Sequence, residues 1–241
     1  MLAGPPAFRP RPLIEVPRMS STRDLALQAS LPVDMTSQLD YILLDGSGSM
    51  QDKWWDSLAA IDAYVSTLRT NHVESHLKLN VFDSTTLDHC QRNTSIQDYI
   101  PLSQEPATAH WGSTPLYDAI NFMGRELRDA DPPKCAILIV TDGQESGSQY
   151  TDLPQARAIL DWCRAKGYQV TFVGCDFENS HQAQALGADA STAIGVAQAR
   201  LSDATRALAQ KRTRYARTGD DISFDESERS QFGGYLSGGT K

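Results

Sequence analysis

The chain has 241 residues, of which 40% are apolar and 22% charged. That balance suits a globular domain able to build a core without disulfides or a structural metal. Its formal net charge of −8 speaks against unspecific attraction to nucleic acid or to an anionic membrane. The four cysteines, Cys90, Cys135, Cys163 and Cys175, form no C-x-x-C pair and read as reduced thiols of a reducing compartment.

Residues 1–36 carry Pro5, Pro6, Pro10, Pro12, Pro17 and Pro32 without helical or strand period, so they read as an extended leader. The run Met1 to Pro12 has charge and proline but no apolar stretch, unlike a secretory signal. The expectation is a cytoplasmic protein, or one within an assembly built in the cytoplasm. A domain is read over 37–218. Leu39 to Leu44 is apolar except for Asp40, the pattern of a strand covered on both faces. Trp54, Leu58, Ile61, Val65 and Leu68 then line one stripe of a helix. Alternation over His76 to Phe82 predicts a strand, and residues 85–101 an edge strand or hairpin. Pro115 to Arg128 reads as a helix with Thr114 at its N-cap and Pro115 in the first helical position. Cys135 to Thr141 is the strongest strand, and its unbroken apolarity predicts a central, parallel one.

A helix over Leu153 to Lys166 stops at Gly167, a strand follows over Tyr168 to Cys175, and a short helix spans about 180–186. Thr192 to Val196 is a last short strand, and Arg200 to Arg217 the final helix. Strands alternating with helices predict an α/β fold, doubly wound and Rossmann-like, with a mostly parallel open sheet, helices on both faces and one antiparallel edge strand. The remainder, 219–241, is polar and glycine-rich and reads as an extended tail.

Three loops carry the chemistry: Asp45-Gly46-Ser47-Gly48-Ser49 after the first strand, Gly112-Ser113-Thr114-Pro115 before a helix, and Thr141-Asp142-Gly143 after the central strand. In a doubly wound sheet, loops at the carboxyl ends of strands meet in one crevice. Together they offer an all-oxygen set of hydroxyls and carboxylates, suited to a hard cation such as Mg²⁺ or Mn²⁺ and less to Ca²⁺. Gly46 and Gly48 are expected to let the loop turn tightly so that both serines aim at one point.

This three-part pattern resembles the metal-ion-dependent adhesion site, D-x-S-x-S with a distant Thr and a distant Asp, of von Willebrand factor A domains. The matching positions are Asp45, Ser47, Ser49, Thr114 and Asp142, and the resemblance covers roughly residues 38–205. It implies that Ser47 and Ser49 ligate the metal directly, Thr114 directly or through water, and Asp45 and Asp142 largely through water. A water position facing solvent is then open to exchange for a partner's Asp or Glu carboxylate. Cytosolic members of the family often work beside AAA+ ATPases, which makes such an ATPase a candidate partner.

Trp55, His110, Trp111, Gln144 and Glu145 flank the loops and form the candidate partner-binding rim, with Met50 and Trp54 beside them. The position of Trp54 on the helical stripe favours packing, and Asp118, one turn into its helix, suits a dipole or supporting contact. No catalytic residue is assigned: no general base sits within the motif, and no nucleophile-elbow or phosphate-loop pattern occurs. The basic group Lys211, Arg212, Arg214 and Arg217 invites a nucleic-acid reading, but cations suit a helix C-terminus and the acidic stretch Asp221 to Glu228 stands ready to pair with them. The alternative reading is a structural subunit of a phage or another large complex, with leader and tail as the arms that pack on neighbouring subunits.

Overall fold

A computed structural model describes residues 38–87, 89–142, 144–175 and 180–233. The leader read over 1–36, the tail beyond 233 and Gly143 lie outside the described residues. In chain order the elements are β1 (Gln38–Asp45), a 3-10 helix (Gly48–Lys53), α1 (Trp54–Thr70), β2 (Ser75–Phe82), β3 (His89–Ser95), α2 (Leu116–Ala130), β4 (Cys135–Val140), α3 (Leu153–Ala165), β5 (Gln169–Cys175), α4 (Ser180–Ala185), β6 (Ala193–Val196), α5 (Leu201–Thr218) and α6 (Glu226–Gln231). The six strands form one sheet in the order β3-β2-β1-β4-β5-β6. All neighbours are parallel except the edge pair β2–β3, which is antiparallel with a register shift at Leu79/Asn80.

Alternation along β1 divides the core into two layers. Ile42 and Leu44 point to the side where α1 and α5 pack, among Leu58, Ile61, Val65, Leu68 and Leu208. Leu39, Tyr41 and Leu43 point to the opposite side, among Ile120, Met123 and Leu127 of α2 and Ile159 and Leu160 of α3. Burial on both faces is why β1 and β4 are apolar throughout rather than alternating. Asp40, the one interruption, faces the α1/α5 layer and is fully buried. There it receives the guanidinium of Arg212 at 2.9 and 3.0 Å, the Tyr64 hydroxyl at 2.6 Å and the Ser75 hydroxyl at 2.5 Å. A carboxylate stays in such a place only when its lone pairs are matched this completely.

Two sequence expectations differ from the structure. The helix α2 begins at Leu116 with Pro115 as its N-cap residue, and no side chain caps it. Thr114 is held one step earlier by an isolated antiparallel bridge to Ser146, with N···O distances of 2.9 Å in both directions. The pairing with a neighbouring loop, not the helix end, sets its place.

The second difference is at the C-terminus. The domain was read to end at 218, with a polar tail from 219, yet the chain packs on through Gly233. Gly219 closes α5 at φ +82°, a left-handed conformation that glycine adopts without a Cβ penalty. The reversed chain then lays Ile222, Phe224 and Phe232 into the α1/α5 layer. The Phe224 amide donates to the Ser191 carbonyl and the Ala197 amide to the Phe232 carbonyl, each at 2.9 Å. These anchors are widely spaced apolar residues in a polar stretch, a pattern without the period that marks an amphipathic element. Among the described residues no helix is long and apolar enough to cross a membrane.

Candidate functional site

The strand order reverses direction between β1 and β4, so the loops leaving their carboxyl ends diverge and open a crevice. Asp45 ends β1 beside β4, where Leu44 is in register with Val140, and Asp142 lies two residues beyond Val140. Fully buried Asp45 accepts the Ser47 amide on one carboxylate oxygen at 2.8 Å and the Thr141 hydroxyl on the other at 2.6 Å. Both of its oxygens therefore shape the loop. The Ser47 and Ser49 hydroxyls stand 3.1 Å apart, and Ser49 donates to Asp142 at 2.7 Å. Side-chain oxygen contacts thus join Ser47, Ser49 and Asp142, and the Ser47 amide ties Asp45 to them.

Thr114 is brought alongside by backbone. The Gly48 amide donates to the Gly112 carbonyl at 2.9 Å and the Trp111 amide to the Gly46 carbonyl at 3.1 Å, lacing the two loops together. The Thr114 hydroxyl makes no hydrogen bond among the described residues, so nothing ties it to the other four side chains. Gly46 serves this close approach rather than a special turn. Its backbone is not in the left-handed region, but a Cβ there would stand 2.7 Å from Val81 Cγ1 and 3.3 Å from Ala109 Cβ. At Gly48 a Cβ would meet only ordinary contact, 3.4 Å from the Trp111 carbonyl, so the expected need for a tight turn is not what holds either glycine.

Lys53 was not among the sequence candidates. It closes the 3-10 helix that follows the serines, and its ammonium reaches Asp142 Oδ2 at 2.6 Å and the Ser49 carbonyl at 3.4 Å. The signal in the sequence is its position only four residues after Ser49, a spacing that a short helix converts into proximity. Thr141 was read as the strand's end and the first residue of the third loop, not as a site residue, yet it supplies the hydrogen bond that orients Asp45.

The candidate rim residues divide. Trp55 is 66% exposed and Trp111 38% exposed. Trp111 stands edge-on to buried Trp54, with ring centroids 5.4 Å apart, and adopts φ +61°. That conformation is strained for a large side chain. Both tryptophans border a cleft of about 530 Å³ shared with Gln51, Pro106 and Thr108. His110 stacks on His89 and places Nδ1 3.4 Å from Asp83 Oδ2. Gln144 is exposed. Glu145, in contrast, is spent on the fold: its carboxylate accepts the Tyr117 amide at 3.0 Å, the Ser148 amide at 2.7 Å and the Ser148 hydroxyl at 2.8 Å. Buried Met50 belongs to the core. Asp118 accepts the amides of Gln149 at 2.7 Å and Tyr150 at 3.1 Å and so anchors the loop after β4.

Three of the four basic residues on α5 are engaged internally, and Arg214 is exposed. Arg212 is buried on Asp40, Lys211 pairs with Glu228 at 2.7 Å, and Arg217 donates to the Asn71 carbonyl at 2.7 Å.

Burial pushes the Asp45 carboxyl up from 3.8 to about 6, against the lowering effect of the Thr141 and Ser47 hydrogen bonds. The native state therefore holds this proton more tightly than the unfolded chain. The destabilisation it causes is absent below about pH 4, grows as pH rises, and is complete above about pH 6. Two pK units correspond to about 3 kcal/mol. Urea unfolding in EDTA is expected to show stability falling by up to about that amount across this window. Asp45→Asn is expected to flatten the slope; an equal slope in the variant would assign it to another group.

The donor chemistry fits a hard cation. Adjacent oxygen ligands of Mg²⁺, each about 2.0–2.1 Å from the ion, stand about 3 Å apart, and the two serine hydroxyls are already at 3.1 Å. Among the described residues no three His, Cys, Asp or Glu side chains converge as a thiolate, imidazole or carboxylate cage requires.

Fold and crevice together define a doubly wound α/β domain with a cluster of hydroxyls and carboxylates at its topological switch point. The profile of the von Willebrand factor type A domain matches residues 41–212, and the chain belongs to that family. A comparison with curated protein sequences gives no match. Among solved structures, a von Willebrand factor type A protein from Catenulispora acidiphila is similar with TM-score 0.53 and 15% identity, over 74% of this chain and 43% of that one. The von Willebrand factor domain of the type V pili tip protein Mfa5 from Porphyromonas gingivalis is similar with TM-score 0.57 and 12% identity, over 77% of this chain and 98% of that one. Proximal thread matrix protein 1 from the mussel byssus, solved with a zinc-occupied MIDAS motif, gives TM-score 0.53 and 14% identity, over 75% of this chain and 47% of that one. The chain thus spans less than half the length of the Catenulispora and mussel chains.

Proposed function

We propose that the domain holds one divalent cation, Mg²⁺ or Mn²⁺ before Ca²⁺, and uses it to bind a protein partner through an Asp or Glu of that partner. Ser47, Ser49 and Thr114 would hold the ion, with Asp45 and Asp142 behind them. The observation that carries this reading is the run of oxygen contacts from Ser47 through Ser49 to Asp142 at the mouth of the crevice. The zinc-occupied motif of the mussel relative supports the same use of the fold. Hydroxyl ligands leave most of the ion's charge unneutralised, so a carboxylate gains strongly by replacing water on it. Exposed Trp55 and Trp111 line the cleft they share with Gln51, just past Ser49 in the chain, and supply the apolar area that makes aromatic side chains binding anchors. The site's own residues are given no catalytic role. An AAA+ ATPase and the neighbouring subunits of a larger assembly are the partner classes this reading admits.

The test is direct titration of the metal-free chain with Mn²⁺ by calorimetry or electron paramagnetic resonance. Wild type is expected to bind one equivalent, and Ser47→Ala to lose at least a hundredfold in affinity, roughly 3 kcal/mol. Equal binding by both proteins would remove the motif from the site. A partner retained in Mg²⁺ and released by EDTA would extend the result to function; retention undiminished in EDTA would contradict a metal-bridged contact.

A further inference from the structure

Lys53 occupies a place that the metal reading leaves without a role. Its ammonium is 2.6 Å from Asp142 Oδ2, while the other oxygen of the same carboxylate takes the Ser49 hydroxyl at 2.7 Å. The Asp142 side chain is only 3% exposed and that of Lys53 21% exposed, so this is a largely desolvated pair and not a surface contact. The anchoring is short: Lys53 closes the 3-10 helix only four residues beyond Ser49, whose carbonyl it also approaches at 3.4 Å. A positive charge is thus tethered to the carboxylate that would face the ion.

We propose that Lys53 is a built-in competitor of the metal, a counter-cation that neutralises Asp142 in the ion-free site and must be displaced when a divalent cation enters. The proposal rests on the metal-site reading and adds to it a residue that sets affinity. A dipositive ion and an ammonium sharing one nearly buried carboxylate repel each other strongly at low effective dielectric. The side chain is suited to release, being a point charge on a flexible four-carbon stem whose head regains full hydration when it swings outward. Its presence stabilises the empty loop and lowers affinity for the ion, so the domain takes up metal over a higher concentration range than its oxygen donors alone would set.

The test compares wild type, Lys53→Met and Lys53→Arg as full chains, with Mn²⁺ alone as the probe. Lys53→Met, which keeps the stem and removes the charge, is expected to bind Mn²⁺ at least tenfold more tightly than wild type. In EDTA it is expected to melt at a lower temperature, because Asp142 has lost its cation, and to gain more from saturating Mn²⁺ than wild type does. Lys53→Arg keeps the charge and is expected to stay near wild-type affinity. Wild-type uptake unchanged or weakened by Lys53→Met overturns the role of Lys53 while leaving the metal site intact. Tight binding by Lys53→Arg equal to that of Lys53→Met overturns the charge argument. Failure of both wild type and Lys53→Met to bind Mn²⁺ overturns the metal-site reading and this proposal with it. Uptake by Lys53→Met alone supports the competitor role in its strongest form.

Discussion

Ending the chain after Thr218 is expected to destabilise the domain by roughly 5–9 kcal/mol, which follows from about 1.5–3 kcal/mol for each fully buried large apolar side chain. The three side chains lost are Ile222, Phe224 and Phe232, all buried against the α1/α5 layer. The Lys211–Glu228 ion pair and the backbone bonds to Ser191 and Ala197 go with them. A typical domain has only about 5–15 kcal/mol in total, so the truncated protein is expected to be largely unfolded or to aggregate. Circular dichroism and urea unfolding check this, with an end at Gly233 as the comparison. A truncation at 218 that unfolds within about 1 kcal/mol of the longer chain would show that the segment merely rests on the surface. The same reasoning bears on the assembly alternative: residues 219–233 are engaged with their own domain, so a deletion meant to probe a C-terminal arm has to begin at 234.

Arg212→Met is expected to cost about 3–5 kcal/mol, the range for breaking a buried ion pair from one side. The loss is large because Asp40 remains, fully buried, with only the hydroxyls of Tyr64 and Ser75 to match it. Pairing the change with Asp40→Leu is expected to recover much of the stability, since apolar replacement of both partners removes the stranded charge. Urea unfolding of the two single variants and the double variant measures the coupling. Additive single effects would mean that the pair is not a unit. The link joins α5 to the start of β1, at the opposite end of that strand from Asp45, so the proposed Mn²⁺ binding is expected to be unchanged in folded Arg212→Met.

Much of the architecture was legible because it follows from local pattern. Apolar runs too long to alternate announced the buried strands β1 and β4, and the stripe Trp54, Leu58, Ile61, Val65 and Leu68 is buried throughout. The loop motif was legible too, since loops at strand ends are placed by chain order once the sheet is doubly wound. What stayed hidden depended on contacts between residues far apart in the chain. Nothing near Glu145 in the sequence shows that its carboxylate serves the Tyr117 amide at the start of α2 rather than the surface.

By itself the sequence determined the family, the alternation of strand and helix, and the kind of donor atoms brought to the crevice, because periodicity and residue chemistry are local properties. Only the tertiary structure decided which charges meet. Asp40 finds Arg212 across the α5 packing, Asp142 finds Lys53 across the crevice, and a polar-looking C-terminus finds a hydrophobic seat. Partner choice for buried charge and for isolated apolar residues is set by distance in space, which a linear pattern records only when the partners lie within one turn or one strand of each other.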